Sequence, residues 1–343
     1  MATSVKKGQI EDNITYSSLF RNALLNQDPQ IWQRGTSITN TTADSYTADR
    51  WYVETQTTAT DKTVSRQDGT GLNGSYYCAR VLAAQDTDEL ITFSQALESQ
   101  NSIKFRGQKL TLSFYARGGA EFVSDNQTLV SKIVTGKGTD QKLLAFTTSA
   151  SAVSQNNTLT TSWVKFTCTT TAAIASDITQ IGVSFAFTHA GSGVTTNYFE
   201  IAQVQLCAGD VALPFQPKSF EEELRACQRY CVAYGGSETN AGDSYKAIRG
   251  VFVGQAAGAA GGIIYFPVQM RAEPTLSVTA GEWRISDFTA AVTLTGLAIA
   301  ADQGGANACI MDITAASGIT QYRPYVLQQL NNATRLMVFS AEL

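Results

Sequence analysis

Lys109-Leu110-Thr111-Leu112-Ser113-Phe114-Tyr115-Ala116 decides the fold class of the chain. Leu110, Leu112 and Phe114 recur at every second position, the period of a strand with one face in a core. The pattern repeats further on. Val164, Phe166 and Cys168 stand opposite Trp163, and Ile181, Val183, Phe185 and Phe187 share a face. The run Phe199 to Leu206 alternates in the same way. Turn-forming clusters separate these runs, which predicts a jelly-roll β-sandwich over 16–218. Pro214 and Pro217 close it, because two prolines so near each other forbid a continuing central strand.

Composition agrees with a mostly β protein. The 343 residues are 43% hydrophobic and only 16% charged, with abundant threonine and 27 glycines for turns. Such a chain is too apolar to be disordered. With 25 basic against 29 acidic residues it offers no electrostatic footprint for nucleic acid. No run of about 18 apolar residues is present, so membrane insertion is not expected. Residues 1–15 read as a polar N-terminal arm without an export signal, which places synthesis in a cytoplasm.

A helical linker is expected over 219–233. Ser219 as N-cap with Glu222 at the third helical position fits a capping box, and Glu221, Glu222 and Glu223 suit the positive end of the helix dipole. Phe220, Leu224, Cys227 and Cys231 recur at i, i+4, i+7 and i+11 as one apolar stripe. Beyond it, 234–343 predicts a smaller antiparallel β-sandwich, with strands at 248–253, 263–268, 275–278, 308–313 and 335–340.

Residue types that carry chemistry are sparse. No CxxC occurs among the six cysteines, and the single His189 cannot complete a Cys₂His₂ zinc site, so no metal or cofactor is expected. The cysteines fit small buried hydrophobes better than a disulfide framework. His189 stands at a strand end with no nucleophile elbow in the sequence. Asp86, Asp88 and Glu89, or Glu121 and Asp125, are the carboxylates one would test for glycoside hydrolysis. Nearness in sequence does not set two carboxyls across a cleft, and solvated loop acids are the ordinary alternative. The glycine-rich stretch 254–262 lacks the Lys-Ser/Thr ending of a phosphate loop and reads as a hairpin. No enzymatic activity is expected. Trp51, Tyr52, Tyr76, Tyr77 and Trp283 are the candidate sugar platforms, although rings of this kind are more often core. Within each adjacent pair, one residue faces away from the core.

Three stretches carry a family resemblance. Leu24-Leu25-Asn26-Gln27-Asp28-Pro29-Gln30-Ile31-Trp32-Gln33-Arg34-Gly35-Thr36-Ser37, followed by Tyr46-Thr47-Ala48-Asp49-Arg50-Trp51, resembles the opening of a carbohydrate-binding-module-like jelly roll in phage tail-fibre and related virion proteins. Gln27 and Pro29 depart from that pattern. Glu222 to Tyr230 is similar to the helix that follows the module, and Phe266 to Thr275 to the opening of the domain after it. The resemblance implies that Trp32, Arg34, Asp49, Arg50 and Trp51 lock the sandwich opening rather than touch ligand.

It also implies a virion component of the tail or capsid surface, a tail fibre or similar projection. Such a component would be a homotrimer that binds a host surface glycan and joins other virion proteins through the N-terminal arm. The helix stripe Phe220, Leu224, Cys227 and Cys231 would then be either the oligomer seam or a face packed on the neighbouring sandwich. The rival expectations are a decoration or adaptor protein without receptor binding and, third, a polysaccharide-degrading enzyme.

Overall fold

Alternating apolar residues become two facing sheets over the first 208 residues. The computed structural model describes residues 18–40, 44–55, 62–83, 90–188, 195–235, 248, 250–330 and 336–343. The arm 1–15, His189, and the acids Asp86, Asp88 and Glu89 lie outside the described residues. Two units are distinguished: the chain up to Trp32 with Thr36–Glu223 and Leu343, and Gln33–Gly35 with Leu224–Glu342.

The first unit begins with β1 (Ser37–Asn40), β2 (Ser45–Tyr46), β3 (Tyr52–Thr55), β4 (Lys62–Asp68), β5 (Tyr77–Ala83) and β6 (Leu90–Ala96). It continues with β7 (Leu110–Gly118), β8 (Thr128–Gly136), β9 (Ala150–Thr158), β10 (Val164–Thr169), β11 (Gln180–Thr188) and β12 (Tyr198–Ala208). One sheet runs β1-β4-β5-β12-β7-β10 and the other β2-β3-β6-β11-β8-β9, with every pairing antiparallel. From β5 onward the chain crosses repeatedly between the sheets, the jelly-roll arrangement the alternation predicted.

Leu110, Leu112, Phe114, Ile181, Val183, Phe185 and Phe187 all enter the core between the sheets. Trp51 stacks on Phe93 there, with ring centroids 4.8 Å apart and planes at 11°.

The expected alternation of β12 does not run unbroken. Phe199 and Ile201 face the core, and so do Val204 and Leu206, so the inward set changes parity. The register shifts between Ala202 and Gln205, and Gln203 takes a φ of 51° as the extra residue of a bulge.

The opening motif is structural, as the resemblance implied, apart from one residue. Asn26 Oδ1 accepts the amides of Gln30 and Ile31, its Nδ2 donates to the carbonyls of Ile31 and Asp49, and its own carbonyl accepts the Trp51 indole. Arg50 donates to the Ala96 carbonyl at 2.7 Å, and Trp32 to that of Pro29. Arg34 instead belongs to the second unit, where it pairs with Glu342 at 3.2 Å.

The helix spans Phe220–Gln228. Ser219 caps it, its Oγ accepting the Glu222 amide at 3.3 Å. It is shorter than the periodicity predicted. Cys231 begins β13 (Cys231–Gly235), whose partner strand offers sheet hydrogen bonds that a longer helix would forgo. The remaining strands are β14 (Phe252–Ala256), β15 (Ala259–Tyr265), β16 (Thr275–Ser277), β17 (Trp283–Ser286), β18 (Ala291–Thr293), β19 (Gly296–Ile299), β20 (Ala308–Thr314), β21 (Pro324–Gln329) and β22 (Leu336–Ser340). They form a three-stranded sheet, β13-β22-β16, and a seven-stranded sheet, β18-β17-β21-β14-β15-β20-β19. Both sheets line one core that holds Val232, Phe252, Trp283, Leu327 and Phe339. The glycine-rich stretch is the β14–β15 hairpin. Gly254 is required there, since a Cβ would stand 2.0 Å from the Thr320 carbonyl oxygen.

Candidate functional site

The expected platforms divide by burial. Trp51 and Trp283 are wholly buried and present no ring to a ligand, because each fills a core that smaller residues would leave hollow. Tyr52, next to Trp51, takes the opposite face of its strand. It is 8% exposed, and its hydroxyl accepts a hydrogen bond from Lys142 Nζ at 2.9 Å. Tyr77 is half-buried beneath the Arg66 guanidinium, 4.1 Å from its centroid. Tyr76 stands free of the core at 76% exposure, edge-on to Tyr77. The helix stripe is not a free seam. Phe220 is exposed and Leu224 half-buried, but Cys227 and Cys231 are buried, and Cys231 is not helical.

A different set of residues forms the most organised surface of the first unit. Arg80 on β5 lies opposite Glu200 on β12, and Glu200 lies opposite Arg117 on β7. Their neighbours Ala79, Ile201 and Ala116 face the core, so this row faces outward. Glu200 is completely buried between the two arginines. Its Oε1 accepts Arg80 Nε at 2.9 Å, and its Oε2 accepts Arg117 Nε. Each guanidinium then covers a ring: Arg80 lies 3.8 Å from the Tyr198 centroid and Arg117 4.7 Å from that of Trp163.

Trp163 directly precedes β10, on the far side of β7, and its indole donates to the Thr70 carbonyl at 3.2 Å. Each arginine retains about a quarter of its side-chain exposure, and both rings are half-buried. Two fixed guanidiniums with spare donors, flanked by aromatic rings, suit a flat polyhydroxylated or anionic ligand. A carboxylate sealed by two cations positions those donors and has no open side for proton transfer.

The bulge of β12 braces one edge of this row. Asp28 Oδ1 accepts the Ser75 hydroxyl at 2.8 Å and the Gln203 amide at 3.3 Å, and Gln203 Nε2 donates to the carbonyl of Asn73 and to Ser75 Oγ. Burial pushes the Asp28 carboxyl up to about 6, against the two hydrogen bonds that favour its charge. On the other sheet, burial and then the Asp44 charge raise Glu54 to about 7, and its Oε2 is buried without a hydrogen-bond partner.

A cavity of about 290 Å³ also opens near Asn22, Gln27, Gln205 and Leu213. Its amides are spent internally, Asn22 on the Val204 carbonyl, Gln27 on that of Gln216 and Gln205 on that of Leu213. Among the described residues no group of three or more His, Cys, Asp or Glu is placed to hold a metal ion. None of the described helices is long and apolar enough to cross a membrane.

Sequence reasoning singled out none of Arg80, Arg117, Tyr198 and Glu200. Trp163 was legible only as the residue opposite an apolar strand face.

The first unit is thus a jelly-roll β-sandwich with a paired-arginine and aromatic row on one outer face. No family model matches the sequence, and no curated protein matches it. Several solved structures are similar. The enzymatically active domain of bacteriophage CBA120 tailspike protein 4 is 12% identical with a TM-score of 0.36, over 56% of this chain and 22% of that chain. TmCBM61, solved in complex with β-1,4-galactotriose, is 14% identical with a TM-score of 0.33, over 55% and 99%. The CBM22-2 xylan-binding domain from Paenibacillus barcinonensis Xyn10C is 17% identical with a TM-score of 0.30, over 46% and 91%. The jelly-roll assignment itself rests on the strand order and register described above.

Proposed function

We propose that this chain is a structural component of a phage particle, a tail fibre or similar surface projection, that binds a host surface glycan without cleaving it. The observation that carries glycan binding is the outward row Arg80–Glu200–Arg117 with Tyr198 and Trp163 against it. Fixed guanidiniums match the vicinal hydroxyls and carboxylates of sugars, and half-exposed rings match their flat faces. The virion assignment comes from the opening motif, the helix motif and the Phe266–Thr275 motif in their order along the chain. Repeated copies on one particle would compensate weak single-site affinity.

The test is a glycan array on the whole chain, followed by titration of any retained sugar against Arg117→Ala and Trp163→Ala. Loss of one charge-assisted bond of about 1.5–3 kcal/mol predicts roughly 10- to 150-fold weaker binding for Arg117→Ala. An array without a retained sugar favours the decoration or adaptor role. Release of oligosaccharides from host polysaccharide would show an enzyme instead.

A further inference from the structure

The outer surface of the seven-stranded sheet breaks the rule that a solvent-facing sheet side is polar. Phe252, Ile264, Met311 and Tyr325 point into the core of the second unit, so their strand neighbours point out. The register sets Phe252 opposite both Gly262 and Tyr325, and Ile263 opposite Ile310. Val326 on β21, Val251 just before β14, Ile263 on β15 and Ile310 on β20 therefore form one continuous outward row. Val251 is 63% and Ile263 40% exposed, and the next positions out on the same face are Val253 at 44% and Tyr265 at 69%. Val326 and Ile310 are half-buried.

We infer that this face packs against a second copy of the chain. Two observations select that occupant. The first is area. A whole tyrosine offers about 200 Å² and a buried aliphatic side chain about 60–120 Å², so the six residues leave roughly 250–400 Å² of apolar surface exposed. One side of a standard interface buries about 800 Å², somewhat more than half of it apolar, so these residues supply more than half of the apolar area of such an interface. The second is charge. The four-residue row carries none, and Asp312, which the register sets outward in line with Val253, stands on its β20 side. A like-on-like contact centred on Val251 and Ile263 therefore sets no charge against its own copy, and sheet faces stack side chain to side chain about 10 Å apart. The inference does not depend on glycan binding.

The experiment is the solution mass of the full chain by light scattering, across a hundredfold range of concentration. The wild type is expected to run as two or more copies of 36.8 kDa. Val251→Asp is expected to run as one copy, with an unchanged melting temperature at the dilute limit, because the substituted side chain lies in solvent in the free chain. Phe220→Asp on the helix is expected to assemble like the wild type. Ile263→Cys should form an intermolecular disulfide on oxidation, against a wild-type background whose six cysteines are all buried. A wild type that stays at 36.8 kDa throughout overturns the inference. So does a Val251→Asp variant that assembles as tightly as the wild type, or an Ile263→Cys variant that never cross-links. Glycan titration of the Val251→Asp monomer separates the two proposals, since single-site binding there leaves the glycan reading standing whatever the mass shows.

Discussion

Asp28→Asn should make the protein more stable at pH 8 and leave it nearly unchanged at pH 4. Asp28 is 8% exposed, and burial, aided by the charge of Glu223, raises its carboxyl from 3.8 to about 6. The folded state therefore holds the proton more tightly than the unfolded chain does. The stability this contributes is complete below the unfolded value of 3.8 and is lost as pH rises through about 6. Each pH unit of difference is worth about 1.4 kcal/mol, so the whole loss is about 3 kcal/mol by pH 8. Asparagine avoids that loss because its Oδ1 can still accept the Ser75 hydroxyl and the Gln203 amide.

The assay is urea unfolding at half-unit steps from pH 4 to 8, followed by tryptophan fluorescence in a Trp283→Phe background. The three remaining tryptophans, Trp32, Trp51 and Trp163, then all report on the first unit. The gap between Asp28→Asn and its parent should open between pH 4 and 6 and level off above 7. Parallel stability curves across that range would refute the assignment of a burial-raised carboxyl at Asp28.

Four further outcomes follow from geometry. Glu200→Gln leaves two guanidiniums facing each other with no counter-ion. Breaking a buried pair costs about 3–5 kcal/mol, and the partial exposure of both arginines brings the expected loss to roughly 2–3 kcal/mol in the same urea assay. Gly254→Ala drives a methyl into the Thr320 carbonyl and should cost about 3 kcal/mol in thermal unfolding. Gly281→Ala meets nothing within 4 Å and should change stability by less than about 0.5 kcal/mol. A thiol reagent should find no reactive cysteine in the native protein and all six after denaturation, since every one is a buried thiol outside any disulfide.

Strands with strict alternation were legible because burial on one face writes directly into sequence at period 2, as in β7 and β11. The bulge at Gln203 was not, because one inserted residue flips the facing of all that follow it, and only the partner strands reveal where the flip occurs. Cys231 continued the helical stripe numerically, yet pairing with Ser340, more than a hundred residues away, placed it in a sheet. β21 was missed for a related cause: Pro324 and the polar Gln328-Gln329 look like a loop, although Gln329 is 2% exposed in its strand. Among the aromatic candidates, the pair Trp51-Tyr52 was bound to split across the strand. Only the surrounding volume at Phe93 decided that the larger ring went inward.

The recognisable motif and the candidate site are different residues for a physical reason. The opening motif is local. Asn26, Asp49 and Trp51 lie within 26 positions and are joined to one another through the Asn26 amide and carbonyl, so their spacing is fixed by chain geometry and survives as a linear pattern. Arg80 and Glu200 are 120 residues apart, and Arg117 and Glu200 83, joined only because β12 lies between β5 and β7. Nothing in the local sequence constrains what these strands carry on their outward face, since the core needs only their inward residues. A jelly roll can therefore keep its opening motif and its core while exchanging the outward row, and with it the ligand. On that account Asn26→Ala, which removes an amide that joins Gln30, Ile31 and Asp49, should cost folding stability whatever sugar is offered. Exchanging Arg80 and Arg117 for the outward residues of another sandwich should alter binding while the β5–β12–β7 register stays in place.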